Sequence, residues 1–145
     1  MSNLQQIKTA NVGVTFSAFD LFHAGHVAML KDAKEHCSYL VVGLQIDPSL
    51  DRPEKNAPIQ SVFERYVQLK GCSYIDEIIP YLKETEVEDI LLTYNIDVRF
   101  IGEEYKDKYF SGKQICEDKG IEIHYNSRKH SFSSSGLRKR IQEAS

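Results

Sequence analysis

Cysteine is scarce in this sequence and scattered. Cys37, Cys72 and Cys116 are odd in number and form no Cys-x-x-Cys pair, which argues against a disulfide framework and against a cysteine-based zinc site. Reduced thiols in a cytoplasmic protein are the expectation. Long apolar runs are also missing: no stretch approaches the roughly 18 apolar residues of a membrane span. Residues 1–10 are polar and carry no apolar signal region, so a soluble chain without a membrane partner is expected. Positive charge has no excess, since 18 basic residues stand against 21 acidic ones for a formal charge of -3; a nucleic-acid surface is therefore not expected. There is no internal repeat, and no low-complexity tract beyond one serine triplet. The partners of such a chain should be small molecules.

What is present fits one domain. With 145 residues and 41% apolar content, a domain over residues 11–145, behind the polar segment 1–10, can bury a sizeable core. Apolar, β-branched stretches predict strands at 11–17, 39–45, 74–79, 97–102 and 121–125. Helical patterns fall at 25–36, from Ser61 onward with Glu64 completing a capping box, and at 86–94, 111–119 and 134–143. The polar stretch between residue 47 and Pro58 holds three prolines and reads as a loop. Strands alternating with helices predict an α/β fold, a single-domain Rossmann-like five-stranded parallel sheet with helices on both faces. Ligands of such sheets bind beyond the carboxyl ends of the strands. Asp20 and His23, Asp47, Gly102 with Glu103 and Glu104, and Arg128 all fall at those ends.

One stretch carries most of the chemistry. From Val12 to Ser17 the chain is apolar and extended, then Ala18, Phe19 and Asp20 lead through a tight loop to His23, Gly25 and His26 at the opening of a helix. A strand–loop–helix junction directs free backbone N–H groups and the positive end of the helix dipole at one spot, which suits phosphate. Gly25 lets a ligand approach the backbone. His23 and His26 stand three apart and can share a face. A zinc site fits less well, because helical zinc pairs usually stand four apart and need further ligands. Asp20 can orient the loop or a histidine ring, or cap the helix.

The run Phe19-Asp20-Leu21-Phe22-His23-Ala24-Gly25-His26, followed far later by Arg128 and Ser133-Ser134-Ser135, resembles the cytidylyltransferase-like nucleotidyltransferase family and its His-x-Gly-His fold. The branch that acts on glycerol 3-phosphate is the nearest small one, and the resemblance covers nearly the whole chain. It implies transfer of a cytidylyl group from CTP, accompanied by Mg²⁺, to a small phosphorylated alcohol, with release of pyrophosphate and a homodimeric assembly. It assigns His23, His26, Lys55 and Arg128 to catalysis. Ser17, Ala18, Phe19, Asp20, Gly25, Gly102, Glu104, Ser133, Ser134 and Ser135 are assigned to the nucleotide; the serines can also cap the last helix, Ser135 above all. Arg65 is expected to pair with an acid across the sheet top, and Arg138, Lys139 and Arg140 to form a solvated helix face. Ser17-Ala18 replaces the family's usual Gly-Thr, Lys129 stands where threonine is usual, and Ser73 stands where the glycerol-phosphate enzymes carry arginine. Two alternatives stay open: an adenylyltransferase acting on a sugar phosphate of the heptose 1-phosphate type, which residues 52–58 resemble, and a non-catalytic nucleotide-binding module.

Overall fold

The computed structural model describes residues 11–128, 130 and 132–145. Residues 1–10, Lys129 and Ser131 lie outside the described residues. Five strands, β1 (Val12–Ser17), β2 (Tyr39–Gln45), β3 (Glu77–Tyr81), β4 (Val98–Gly102) and β5 (Glu122–Asn126), form one sheet in the order β3-β2-β1-β4-β5. Every pairing is parallel. The helices are α1 (Ala24–Glu35), α2 (Pro48–Asp51), α3 (Val62–Lys70), α4 (Glu84–Thr93), α5 (Lys113–Lys119) and α6 (Ser134–Ala144).

Covering both faces explains why β2 reads as an almost unbroken apolar run. Leu40 and Val42 face Leu30, Ala33, Leu69 and Phe100, a core shared with α1 and α3. Val41, between them, points the other way into a core of Val14, Val87, Leu91 and Cys116, shared with α4 and α5. Period-two alternation thus serves two buried faces. Truncating a fully buried leucine such as Leu30 or Leu69 should cost about 2–5 kcal/mol.

The predicted elements all exist, with informative shifts. β3 begins at Glu77 rather than residue 74, because Tyr74 and Ile75 pack against the α1/α3 core instead of joining the ladder. It also runs through Pro80, which a strand at the sheet edge tolerates. The expected loop after β2 contains α2, capped by Asp47, whose carboxylate accepts from the Ser49 N–H at 3.0 Å, with Pro48 in the first turn. Gly112, at φ 83, sets the start of α5 two residues later than expected. A 3₁₀ turn at Glu103–Tyr105 follows β4.

β1 has β2 on one side and β4 on the other. The chain changes winding direction between β1 and β4, so a crevice opens past their carboxyl ends.

Candidate active site

The loop leaving β1 is held in an uncommon conformation. Phe19 and Leu21 have φ of 51 and 53, a left-handed region that non-glycine residues enter only when their surroundings insist. Asp20 supplies the insistence. Its carboxylate accepts from the Ile59 N–H at 2.9 Å, the Gln60 N–H at 3.0 Å and Arg138 Nη2 at 2.7 Å. Burial pushes this carboxyl's pKa upward, but the two backbone donors and Arg138 outweigh it and hold it below the usual range. Leu21 adds an N–H bond to Gln60 Oε1 at 2.8 Å. Arg65, 2% exposed, donates to the carbonyls of Ala18, Gln45, Ile46 and Gln60. The loop is therefore tied to α3 and α6 before α1 begins.

His23 is the N-cap of α1, and the two imidazoles complete a reciprocal cap. The Gly25 N–H donates to His23 Nδ1 at 3.0 Å, while the His23 N–H donates to His26 Nδ1 at 3.1 Å. With both Nδ1 atoms accepting, a neutral ring must carry its proton on Nε2. His23 Nε2 then donates to Ser134 Oγ at 3.0 Å. The rings lie with centroids 3.9 Å apart, and Phe22 stacks on His26 at 5.7 Å. Burial lowers the His26 pKa to about 3, with help from His23 and Arg128 and against the opposing pull of Asp20. Burial, then His130 and Arg128, lowers that of His23 as well. At neutral pH both rings are uncharged N–H donors.

Ser134 opens α6, so this bond joins the N-termini of two helices. Ser133 caps α6 by accepting the Gly136 N–H at 3.0 Å. Neither helix has an acidic residue in its first turn, which leaves both positive dipole ends uncompensated. They meet in a cavity of about 410 Å³ that is lined by His23, Gly25, His26, Arg128 and Ser133 to Ser135, with Gly102 and Glu104 opposite. Glu104 pairs with Arg128 at 3.5 Å. A second cavity of about 530 Å³ lies alongside, with Arg52, Lys55, Tyr81 and Glu84 among its walls. Phe16, Ser17, Arg99, Ile101 and Tyr105 line both. The arrangement is one of two chambers that share these walls at the ends of β1 and β4.

Residues 14–140 match the model of the cytidylyltransferase-like family. The chain is 33% identical over 104 residues to glycerol-3-phosphate cytidylyltransferase of Bacillus subtilis, spanning 72% of this chain and 80% of that one. The chain belongs to the cytidylyltransferase-like family. It is also 35% identical over 130 residues to a probable ethanolamine-phosphate cytidylyltransferase of Encephalitozoon cuniculi, covering 87% of this chain but only 39% of the relative's length. Among solved structures, a lipopolysaccharide core biosynthesis protein from Thermoplasma volcanium superposes with a TM-score of 0.64 at 21% identity, over 81% of this chain and 95% of that one. That likeness is one of fold.

Within the family's pattern, the structure brings together His23, His26, Gly25, Ser17, Gly102, Glu104, Arg128, Ser133, Ser134 and Ser135 around the first cavity. Other expected site residues sit elsewhere. Phe19 is 1% exposed in the core and lines neither cavity. Asp20 caps no helix and bonds no imidazole among the described residues; it is the loop's tether. Ala18 and Lys55 line the second cavity only. The cap of α6 is Ser133 rather than Ser135. Gly25 makes room first for its neighbour, since a Cβ there would stand 2.9 Å from Cε1 of the His23 ring. Arg65 meets carbonyls instead of pairing with an acid, and Arg138 leaves the solvated helix face to pair with Asp20. Arg99 was not expected at all, although an arginine inside the apolar run Val98 to Ile101 was a visible anomaly.

Proposed function

We propose that this chain transfers a nucleotidyl group, from CTP by preference, to a small phosphorylated alcohol such as glycerol 3-phosphate, with release of pyrophosphate. The single observation that carries the reading is the 3.0 Å bond from His23 Nε2 to Ser134 Oγ. It brings two helix N-termini, more than a hundred residues apart in sequence, onto one cavity of a size suited to a nucleotide tail. The preference for CTP and for a phosphorylated alcohol rests on what the two named relatives are called.

In this reading the triphosphate occupies the first cavity and the acceptor the second. An acceptor phosphate oxygen attacks the α-phosphorus, the bond from that phosphorus to the bridging oxygen breaks, and pyrophosphate leaves with the electron pair. No protein nucleophile is needed, so the residues act by alignment and by charge stabilisation. His23 and His26 donate Nε2–H to α- and β-phosphate oxygens, and they need not lose a proton to do so. Ser134 exchanges its imidazole partner for phosphate, Ser133 to Ser135 present the dipole of α6, and Arg128 swings from Glu104 to the tail. Lys55 closes on the acceptor side. When bound, Mg²⁺ would supply charge neutralisation to the triphosphate. Glu104, the one carboxylate among the described residues lining the first cavity, is already paired with Arg128, a poor start for a protein-held cation.

Phe63 and Val67 on α3, with Ile59 just before it, are exposed by 51% or more, and we assign this face to a homodimer contact. A solution mass of one chain would remove that assignment. No helix among the described residues is long and apolar enough to cross a membrane. The three cysteines are free, and on that ground we place the protein in the cytoplasm. The test of function is pyrophosphate release with each of the four nucleoside triphosphates against phosphorylated alcohols and sugar phosphates. CTP with a phosphorylated alcohol should give turnover. Turnover with ATP and a sugar phosphate alone would replace the base and the acceptor, and nucleotide binding without release would make the chain a binding module.

A further inference from the structure

Two arginines are buried in this molecule, and they are used in opposite ways. Arg65 spends Nε, Nη1 and Nη2 on four backbone carbonyls, four of its five N–H groups. Arg99, the second residue of β4 and 5% exposed, is incompletely matched. Its Nη1 donates to the Ser111 carbonyl and the Cys116 thiol lies within reach, but Nε has no hydrogen-bond partner. It forms no ion pair among the described residues, although Glu84 is near enough to be felt.

A guanidinium keeps its charge even when buried, and a buried charge without a counter-ion is expensive. Here the rings of Phe16 and Phe110 flank it, with centroids 5.1 and 4.9 Å from Cζ, which fixes its plane and offsets part of the cost. Gly112 leaves it space, since a Cβ at that position would stand 3.1 Å from Nη1. The packing therefore preserves an arginine that the fold does not neutralise. Its position completes the argument, because Arg99 lines both cavities where they meet.

We propose that Arg99 receives the phosphate monoester of the acceptor, at the junction between the two cavities. This rests on the transferase reading for the identity of the two chambers. The edge formed by Nε and Nη2 has the fork geometry for two oxygens of a tetrahedral phosphate, which arginine offers and lysine does not; Nε is buried in the free chain, so engaging it requires the guanidinium to shift toward the cavity. With Arg52, which also pairs with Glu54 at 3.3 Å, and Lys55, the second cavity carries three cationic groups against Glu84 in its lining, a balance that suits a phosphate acceptor. The aromatic walls set by Tyr81, Tyr105 and Phe110 leave the uncharged part of that acceptor to be small.

The test is a titration of the full chain, labelled with ¹⁵N, that follows arginine Nε–H signals. The Arg99 resonance is assigned by its loss in Arg99→Lys. Inorganic phosphate is the probe, with CTP in a separate arm. The expected result is a saturable shift of the Arg99 signal with phosphate and none with CTP alone, and phosphate affinity about tenfold or more weaker in Arg99→Gln. A shift with CTP alone would move Arg99 to the triphosphate and overturn the proposal. So would a phosphate titration that moves Arg128 and leaves Arg99 in place, or one that moves neither. A merely structural Arg99 gives one of those last two results. The wild-type titration stands if Arg99→Gln fails to fold. It also needs no turnover, so a chain that binds phosphate at Arg99 but releases no pyrophosphate would refute the transferase reading and leave this site intact.

Discussion

Two pairs of histidines face each other in this molecule with nearly the same ring geometry and different surroundings. His23 and His26 lie 3.9 Å apart at 30°, and His36 and His124 lie 4.0 Å apart at 34°. The second pair already has its anion. The Asp32 carboxylate stands 3.1 Å from His124 Nε2 and 3.6 Å from His36 Nδ1, and it also accepts from Asn126 Nδ2 at 2.7 Å. The first pair has no carboxylate bonded to either ring among the described residues. Its Nδ1 atoms are consumed by the backbone, His23 Nε2 meets Ser134 Oγ, and both rings line a cavity together with the first residues of two helices. Stacked imidazoles alone do not make a phosphate site; the missing counter-ion is what suits the first pair to the proposed one.

The largest effect should come from removing one member of the first pair. His23→Ala or His26→Ala should lower turnover about a hundredfold or more in steady-state pyrophosphate release, since each removes a donor aimed at growing charge. Near-normal rates would dissolve the distinction between the pairs. The tether comes next. Arg138→Gln leaves the buried Asp20 carboxylate short of its cation and should cost about 2–3 kcal/mol in urea unfolding; an unchanged midpoint would mean the loop holds its shape without α6. Ser134→Ala removes only the hydroxyl that meets His23 and should lower turnover about tenfold, with the fold intact by circular dichroism.

A smaller effect tests the charge state. The folded pKa of His26 lies at about 3, below the ordinary 6.5, so below pH 6.5 the unfolded chain binds the proton that the folded chain refuses. Its contribution to stability is full above pH 6.5 and falls as pH drops toward 3. Asp20, also depressed, acts in a separate window below its ordinary 3.8. Urea midpoints of the wild type should therefore decline more steeply between pH 6.5 and 4 than those of His26→Gln. Equal slopes would mean that His26 is protonated in the native state. The smallest effect belongs to the second pair: His36→Ala and His124→Ala should leave turnover within about threefold, and a larger loss would give that cluster a role in the reaction.

Much of this arrangement is legible in the sequence. Hydrophobic periodicity located all five strands, and the capping box from Ser61 to Glu64 placed the start of α3. The strand–loop–helix junction at His23 was readable because local spacing encodes it. Contacts made at long range were not. Asp20 could not be recognised as a tether, because its partners lie 39, 40 and 118 residues away. Arg138 looked like one more charge on a polar helix for the same reason. β3 was misplaced by its apolar lead-in, since Tyr74 and Ile75 satisfy the pattern of a strand while packing beneath one. Arg99 shows the opposite failure: the anomaly stood in plain view within a strand, but only the meeting of two cavities around it gives it meaning.

The central claim is that the first histidine pair and the start of α6 together hold the polyphosphate. A crystal structure with CTP bound is the most direct measurement. The account predicts phosphate oxygens within hydrogen-bond distance of His23 Nε2, His26 Nε2 and Ser134 Oγ at once, with both rings still bonded through Nδ1 to the backbone. A polyphosphate seated against Arg52 and Lys55, with the His23 to Ser134 bond unbroken, would contradict it.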